Sequence, residues 1–176
     1  MSSTLDHAIR QKLRAIPDYP KPGILFQDIT PVLGDSVLLR DAIGEMAGPF
    51  LVAGVTHVAG IEARGFILGG AMAVALNAGF IPIRKPGKLP FKARRREYAL
   101  EYGTSVLEAH EDAAGPGNRV LIVDDVLATG GTAAAAAQLI TELGGEIVAW
   151  SFLLELGFLG GREKLEGASV RSLVLL

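Results

Sequence analysis

Residues 120–132, Val-Leu-Ile-Val-Asp-Asp-Val-Leu-Ala-Thr-Gly-Gly-Thr, constrain the fold of this chain more than any other stretch. Residues 120–123 form an apolar run without alternation, the pattern of a strand buried on both faces in a parallel sheet. A small-residue turn follows, and then a helix-forming stretch over residues 133–143. A helix that opens on Thr-Gly-Gly-Thr presents unpaired backbone N–H groups and the positive end of its dipole, together a seat for a phosphate. Gly130 and Gly131 permit close approach and positive φ, Thr129 and Thr132 add hydroxyl donors, and Ala128 leads into the turn.

A plain phosphate loop does not need Asp124 and Asp125. Adjacent carboxylates repel, so a ligand must reward keeping both ionised at the end of a strand. Neighbouring hydroxyls of a sugar do this by donating to the two acids, and a nearby Mg²⁺ adds to the effect. Acids for a diol beside donors for a phosphate describe a ribose 5-phosphate site. The competing reading is a strand that ends in an acidic turn, with a threonine capping the next helix.

The length of 176 residues suits one domain with a sizeable core. Hydrophobic residues make up 49% and mean hydropathy is +0.36, yet no uncharged apolar stretch reaches the ~18 residues of a membrane span. The excess points to a face buried against another subunit, hence a homodimer. The start, Met-Ser-Ser-Thr-Leu-Asp-His, lacks a basic segment followed by an apolar one, so no secretory signal is expected. Cysteine is absent, which excludes disulfides and thiolate metal sites and fits a cytoplasmic protein. A net charge of −2 gives no global attraction to nucleic acid. Basic residues nevertheless crowd one stretch, Arg84, Lys85, Lys88, Lys92, Arg94, Arg95 and Arg96, which is either a solvated loop or a face toward a polyanion.

Along the chain, Leu5, Ile9 and Leu13 have helical spacing, and Pro17, Pro20 and Pro22 enforce an extended segment. Asp35-Ser36 can cap a helix to about Ala47. Strands are expected over residues 57–61, 80–84, 119–123, 146–154 and 170–175, with a helix over 65–77. Residues 87–97 have no apolar period and read as a mobile loop; 98–102 and 105–109, flanking Gly103, read as antiparallel strands. Strands alternating with helices imply an α/β fold, a mainly parallel sheet flanked by helices, with ligands at the carboxyl ends of the strands. His7, His57 and His110 show no ligand spacing, and Trp150 sits in an apolar strand as a core residue.

Segment 120–132 resembles the signature of the type I phosphoribosyltransferases, which bind 5-phosphoribosyl-1-pyrophosphate (PRPP). Asp-Tyr-Pro-Lys-Pro-Gly-Ile-Leu-Phe at 18–26, Glu-Ala-Arg-Gly-Phe at 62–66, Ile-Arg-Lys-Pro-Gly-Lys-Leu-Pro at 83–90 and Leu-Glu-Tyr-Gly at 100–103 extend the resemblance across nearly the whole chain. They narrow it to the adenine phosphoribosyltransferases. The resemblance implies transfer of ribose 5-phosphate from PRPP to adenine with Mg²⁺, giving AMP and pyrophosphate in purine salvage. It also implies one phosphoribosyltransferase domain over residues 1–176, with a base-binding N-terminal hood at 1–34 and a mobile lid at 87–104.

Breaking the ribose C1–oxygen bond builds positive charge on the sugar and negative charge on pyrophosphate, and both need stabilising. By resemblance Arg64, Arg84 and Lys88 hold pyrophosphate, and Arg84 or Lys88 can reach across a dimer; a cis peptide is implied at Glu62-Ala63. The competing reading of Arg64 is a surface residue at a helix start. Mg²⁺ keeps its waters, with Asp124 and Asp125 touching it through water and no direct protein cage. The resemblance further implies an adenine pocket in which Phe26 can stack on the purine, the backbone of Leu25 and Gln27 can read its edge, and Val126 would close the opposite face. Without the resemblance, Phe26 is an ordinary core aromatic. Glu101, with Tyr102 beside it on the lid, assists at the base as a general base or by polarising N7, whereas a Glu-Tyr pair in a strand is otherwise structural. Lid closure excludes water from the cationic ribose.

Two places depart from the resemblance: residue 27 is Gln where several relatives are basic, and residues 91–96 are unusually basic. A relative using hypoxanthine, guanine or xanthine would favour a Lys or Arg donor near the 6-position, and 25–27 offers none. A PRPP-sensing regulator would lack the lid Glu and add a DNA-binding segment, and no Gly-x-x-x-x-Gly-Lys-Ser/Thr is present for P-loop hydrolysis.

Overall fold

The apolar run of residues 120–123 lies at the centre of a five-stranded parallel sheet. The computed structural model describes residues 4–99 and 103–176. The chain runs α1 (Thr4–Lys12), β1 (Arg14–Pro17), β2 (Leu25–Asp28), α2 (Thr30–Leu33), α3 (Ser36–Ala47), β3 (His57–Ile61), α4 (Gly65–Ala75), β4 (Gly79–Ile83), β5 (Ala93–Ala99), β6 (Thr104–His110), β7 (Arg119–Leu127), α5 (Gly131–Glu142), β8 (Glu146–Glu155) and β9 (Ser169–Leu175). The sheet order is β4-β3-β7-β8-β9, and every neighbouring pair is parallel. Two antiparallel pairs stand outside it, β1 with β2 and β5 with β6.

The lack of alternation in β7 has a direct cause, because helices cover both faces. Val120 and Ile122 pack with Ala136, Leu139 and Ile140 of α5, while Leu121 and Val123 pack with Leu68 and Met72 of α4 and Met46 of α3. Each such side chain contributes about 1.5–3 kcal/mol through burial. Asp35 caps α3 as the sequence predicts, accepting from the amides of Val37 and Leu38 at 3.2 Å each. Among the described residues, no helix is long and apolar enough to cross a membrane.

Two elements differ from expectation. Residues 93–97 are strand, not loop, since β5 pairs along its whole length with β6. Its charged pattern hides the strand: Arg96 and Arg95 are held by Glu142 and Glu108 at 2.8 and 2.7 Å, so ion pairs replace the usual apolar face. β7 also continues past Val123 to Leu127, which places both acids inside the strand rather than after it.

The sheet order sets where a ligand can sit. The chain moves outward in one direction from β3 to β4 and in the other from β7 through β8 to β9. The carboxyl ends of β3 and β7 therefore flank the topological switch point, where α/β sheets open a crevice.

Candidate active site

That crevice is a cavity of about 450 Å³, lined by Glu62, Ala63 and Arg64 from the end of β3, Asp124 and Asp125 from β7, and Thr132 from α5. A second cavity of about 470 Å³ lies along the other half of α5, beside Glu142, Glu146 and Trp150. Chemistry separates them: only the first joins the acid pair, an arginine and the opening of α5. Beside it, a cradle of about 70 Å³ is lined by Ala128, Thr129, Gly130 and Thr132, with Asp124 and Val126.

Asp125 is 6% exposed, and its carboxylate is in close contact with Nε of Arg64. Its own amide donates to Oδ1 of Asp124 at 2.9 Å. Burial, and next the neighbouring Asp125 charge, push the Asp124 carboxyl well above the usual carboxylate range. Gly65 makes room for this carboxylate at the start of α4, because a Cβ there would fall 2.7 Å from Oδ1 of Asp124.

The segment 128–132 turns from β7 into α5 through Gly130, whose φ of +76° is open to glycine. No side chain caps α5, so its first-turn amides are available to a ligand. Thr132 Oγ1 is also engaged, donating to Tyr98 Oη at 3.3 Å.

Arg64 precedes α4, and the Glu62-Ala63 peptide before it is cis. Its guanidinium carbon lies 5.0 Å from the centre of the Phe26 ring, which meets Tyr19 edge-on at 5.1 Å. Phe26 and Gln27 are half-buried on β2 and Leu25 is exposed; β2 pairs with β1 in the register Ile16 to Phe26. Strand β2 and the acid pair are thus joined through Arg64. Val126 packs into the α4-side core.

Arg84 is placed differently from Arg64. Its guanidinium donates to Glu62 at 3.1 and 3.3 Å and to the Lys88 carbonyl at 3.0 Å, and Lys85 rather than Arg84 or Lys88 lines the cavity. The Arg84 guanidinium, aided by the Lys85 amide, holds the Glu62 carboxyl below its ordinary range. Glu101 and Tyr102 lie outside the described residues.

Sequence reasoning missed Tyr98 and Lys85 as cavity residues. Lys85 had a signal, since it belongs to the basic cluster; Tyr98 had none, because its contact with Thr132 joins residues 34 positions apart.

A parallel sheet carrying an acid pair and an uncapped helix start at its switch point has the ligand crevice of an α/β enzyme. The profile of the phosphoribosyl transferase domain matches residues 48–157, and the chain belongs to that family. It is similar to the adenine phosphoribosyltransferase of Nitrosococcus oceani, 54% identical over 166 residues that cover 94% of this chain and 97% of the relative. Among solved structures, the adenine phosphoribosyltransferase of Rhodothermus marinus is 51% identical with a TM-score of 0.94, covering 98% of this chain and 99% of that one. The Saccharomyces cerevisiae adenine phosphoribosyltransferase, complexed with adenine and an imino-altritol bisphosphate, is 37% identical with a TM-score of 0.90, covering 97% of this chain and 98% of that one.

Proposed function

We propose that this chain is an adenine phosphoribosyltransferase, transferring ribose 5-phosphate from PRPP to adenine and forming AMP and pyrophosphate in purine salvage. The observation that carries the reading is the acid pair and the open end of α5 meeting at one crevice, in a chain that matches adenine-using relatives over almost its full length.

The 5′-phosphate rests on the amides of residues 130–132 and the Thr129 hydroxyl, and Asp124 and Asp125 accept from the ribose hydroxyls. Hydroxyl donors arriving at Asp125 release Arg64 to meet the pyrophosphate, with Arg84 and Lys88 as further pyrophosphate ligands. The acids then face the carbon that becomes positive, and Arg64 faces the group that becomes negative. Adenine enters against Phe26, between the backbone of Leu25 and Gln27 and the side of Val126. Glu101, on the lid at 87–104 with Tyr102 beside it, acts as a general base or polarises N7 of adenine.

The residues present fit Mg²⁺. Arg64 pairs with Asp125, while burial beside that like charge raises the Asp124 carboxyl; a divalent cation nearby would offset the repulsion between the two acids. Mg²⁺ keeps most of its waters, so such an ion would take water and substrate oxygens, with Asp124 and Asp125 reaching it through water. When bound, it supplies positive charge to the leaving pyrophosphate.

A homodimer in the cytoplasm completes the reading. Exposed Val52, Ile67 and Val74 offer apolar surface for a second copy, and a cysteine-free chain needs no oxidising compartment. Sedimentation showing a monomer would remove the dimer, and cell fractionation checks the location. The activity is tested by a base panel: PRPP and Mg²⁺ with adenine, hypoxanthine, guanine or xanthine, following pyrophosphate release. Release should require adenine; equal or faster release with a 6-oxopurine refutes the assignment.

A further inference from the structure

The phosphate cradle is supported from behind by a part of the chain that the catalytic reading does not use. Gly161, in the connection from β8 to β9, lies backbone against backbone on the loop at 128–130. A Cβ at Gly130 would fall 2.2 Å from the carbonyl oxygen of Gly161. A Cβ at Gly161 would fall 2.0 Å from the carbonyl oxygen of Ala128 and 2.9 Å from the Gly130 amide nitrogen. Neither residue can bear a side chain without pushing the other strand of this contact away.

The next residue fastens the supporting segment to the sheet. Arg162 donates through Nε and Nη2 to the two oxygens of Glu155 at 3.0 and 2.5 Å, and through Nη1 to the Val170 carbonyl at 2.7 Å. Ser172 adds a hydrogen bond to Glu155 at 2.6 Å. Glu155 is 6% exposed at the end of β8, and Val170 and Ser172 belong to β9, so one guanidinium fork ties the connection to two strands. Neither Glu155 nor Arg162 lines the 450 Å³ cavity.

We propose that Arg162 is a positioning residue for the 5′-phosphate loop, holding Gly161 against residues 128–130 and so setting where their amides point. The inference rests on the reading that this loop holds the 5′-phosphate. Amides converging on a tetrahedral anion tolerate little displacement, since charge-assisted hydrogen bonds weaken steeply as they lose alignment.

The test is calorimetric titration of AMP and of adenosine into the wild type, Arg162→Lys and Gly161→Ala, with thermal melting of each. Lysine keeps the charge but cannot make the three-way fork; alanine keeps the fork but displaces the loop. Both variants should lose about tenfold in AMP affinity, keep adenosine affinity within about twofold, and raise the KM for PRPP with kcat little changed. An unchanged AMP-to-adenosine ratio in the folded variants overturns the proposal. So does an equal loss of both ligands with a lowered melting point, which marks a purely structural role. A wild type that binds AMP no better than adenosine refutes the phosphate-site reading instead.

Discussion

Converting both acids to amides, Asp124→Asn with Asp125→Asn, removes the charges proposed to hold the ribose while keeping side-chain shape. A hydrogen bond to a charged acceptor contributes ~1.5–3 kcal/mol and one to a neutral acceptor ~0.5–1.5, so the two sites together lose about 2–3 kcal/mol. The acids also face the sugar carbon as it becomes positive, and losing that electrostatic support costs about 1–3 kcal/mol more. At 1.4 kcal/mol per tenfold, kcat/KM for PRPP should fall by about 10²- to 10⁴-fold. Stability should change little. The Arg64 side chain is 37% exposed, so its pairing with Asp125 is worth at most about 1 kcal/mol. The substitution also relieves the repulsion that pushes the Asp124 carboxyl upward. The assay is pyrophosphate release with PRPP varied at saturating adenine, alongside thermal melting. A folded double variant whose kcat/KM stays within about threefold of wild type would refute the reasoning, because the diol would then be held elsewhere.

Phe26→Ala should raise the KM for adenine by about 5- to 100-fold, the range of one base–aromatic stack, with the KM for PRPP nearly constant; no change would return Phe26 to packing against Tyr19. Glu101→Ala should lower kcat by about 100-fold while direct PRPP binding is almost unaffected, and an unaltered kcat would strip that residue of its role. Glu155→Gln concerns the acid limb of stability. The Arg162 guanidinium, with Ser172, holds the Glu155 carboxyl below its ordinary 4.5. The stabilisation is therefore fully present above that value and is lost as pH falls through the depressed one. The variant should melt below wild type at neutral pH, and the gap should close from about pH 5 downward. A gap that is constant with pH contradicts this.

The chemistry that is contiguous in the chain was legible before any coordinates. Residues 120–132 hold a buried strand, two acids and a helix start in one run, and each rests on local rules: period, glycine placement and the dipole of a new helix. The same locality made α3, β3, α4 and β8 readable to within a few residues. Where interactions are distant, the pattern was silent. β5 carries Arg94, Arg95 and Arg96 where a strand would show an apolar face, because its partners are Glu108 and Glu142 far along the chain. The basic cluster identified a charged region but not its members' roles, since Glu62 turns the Arg84 guanidinium aside and leaves Lys85 at the cavity.

Sequence alone therefore established the α/β class and the acid pair followed by a glycine turn that opens a helix, since these depend on residues within one turn or one strand of each other. Only the tertiary structure decided that β3 and β7 lie side by side, that Arg64 links Asp125 to Phe26, and that Gly161 packs on the loop at 128–130. Those contacts arise from sheet order and packing between segments tens of residues apart, and no local periodicity encodes which strand becomes whose neighbour.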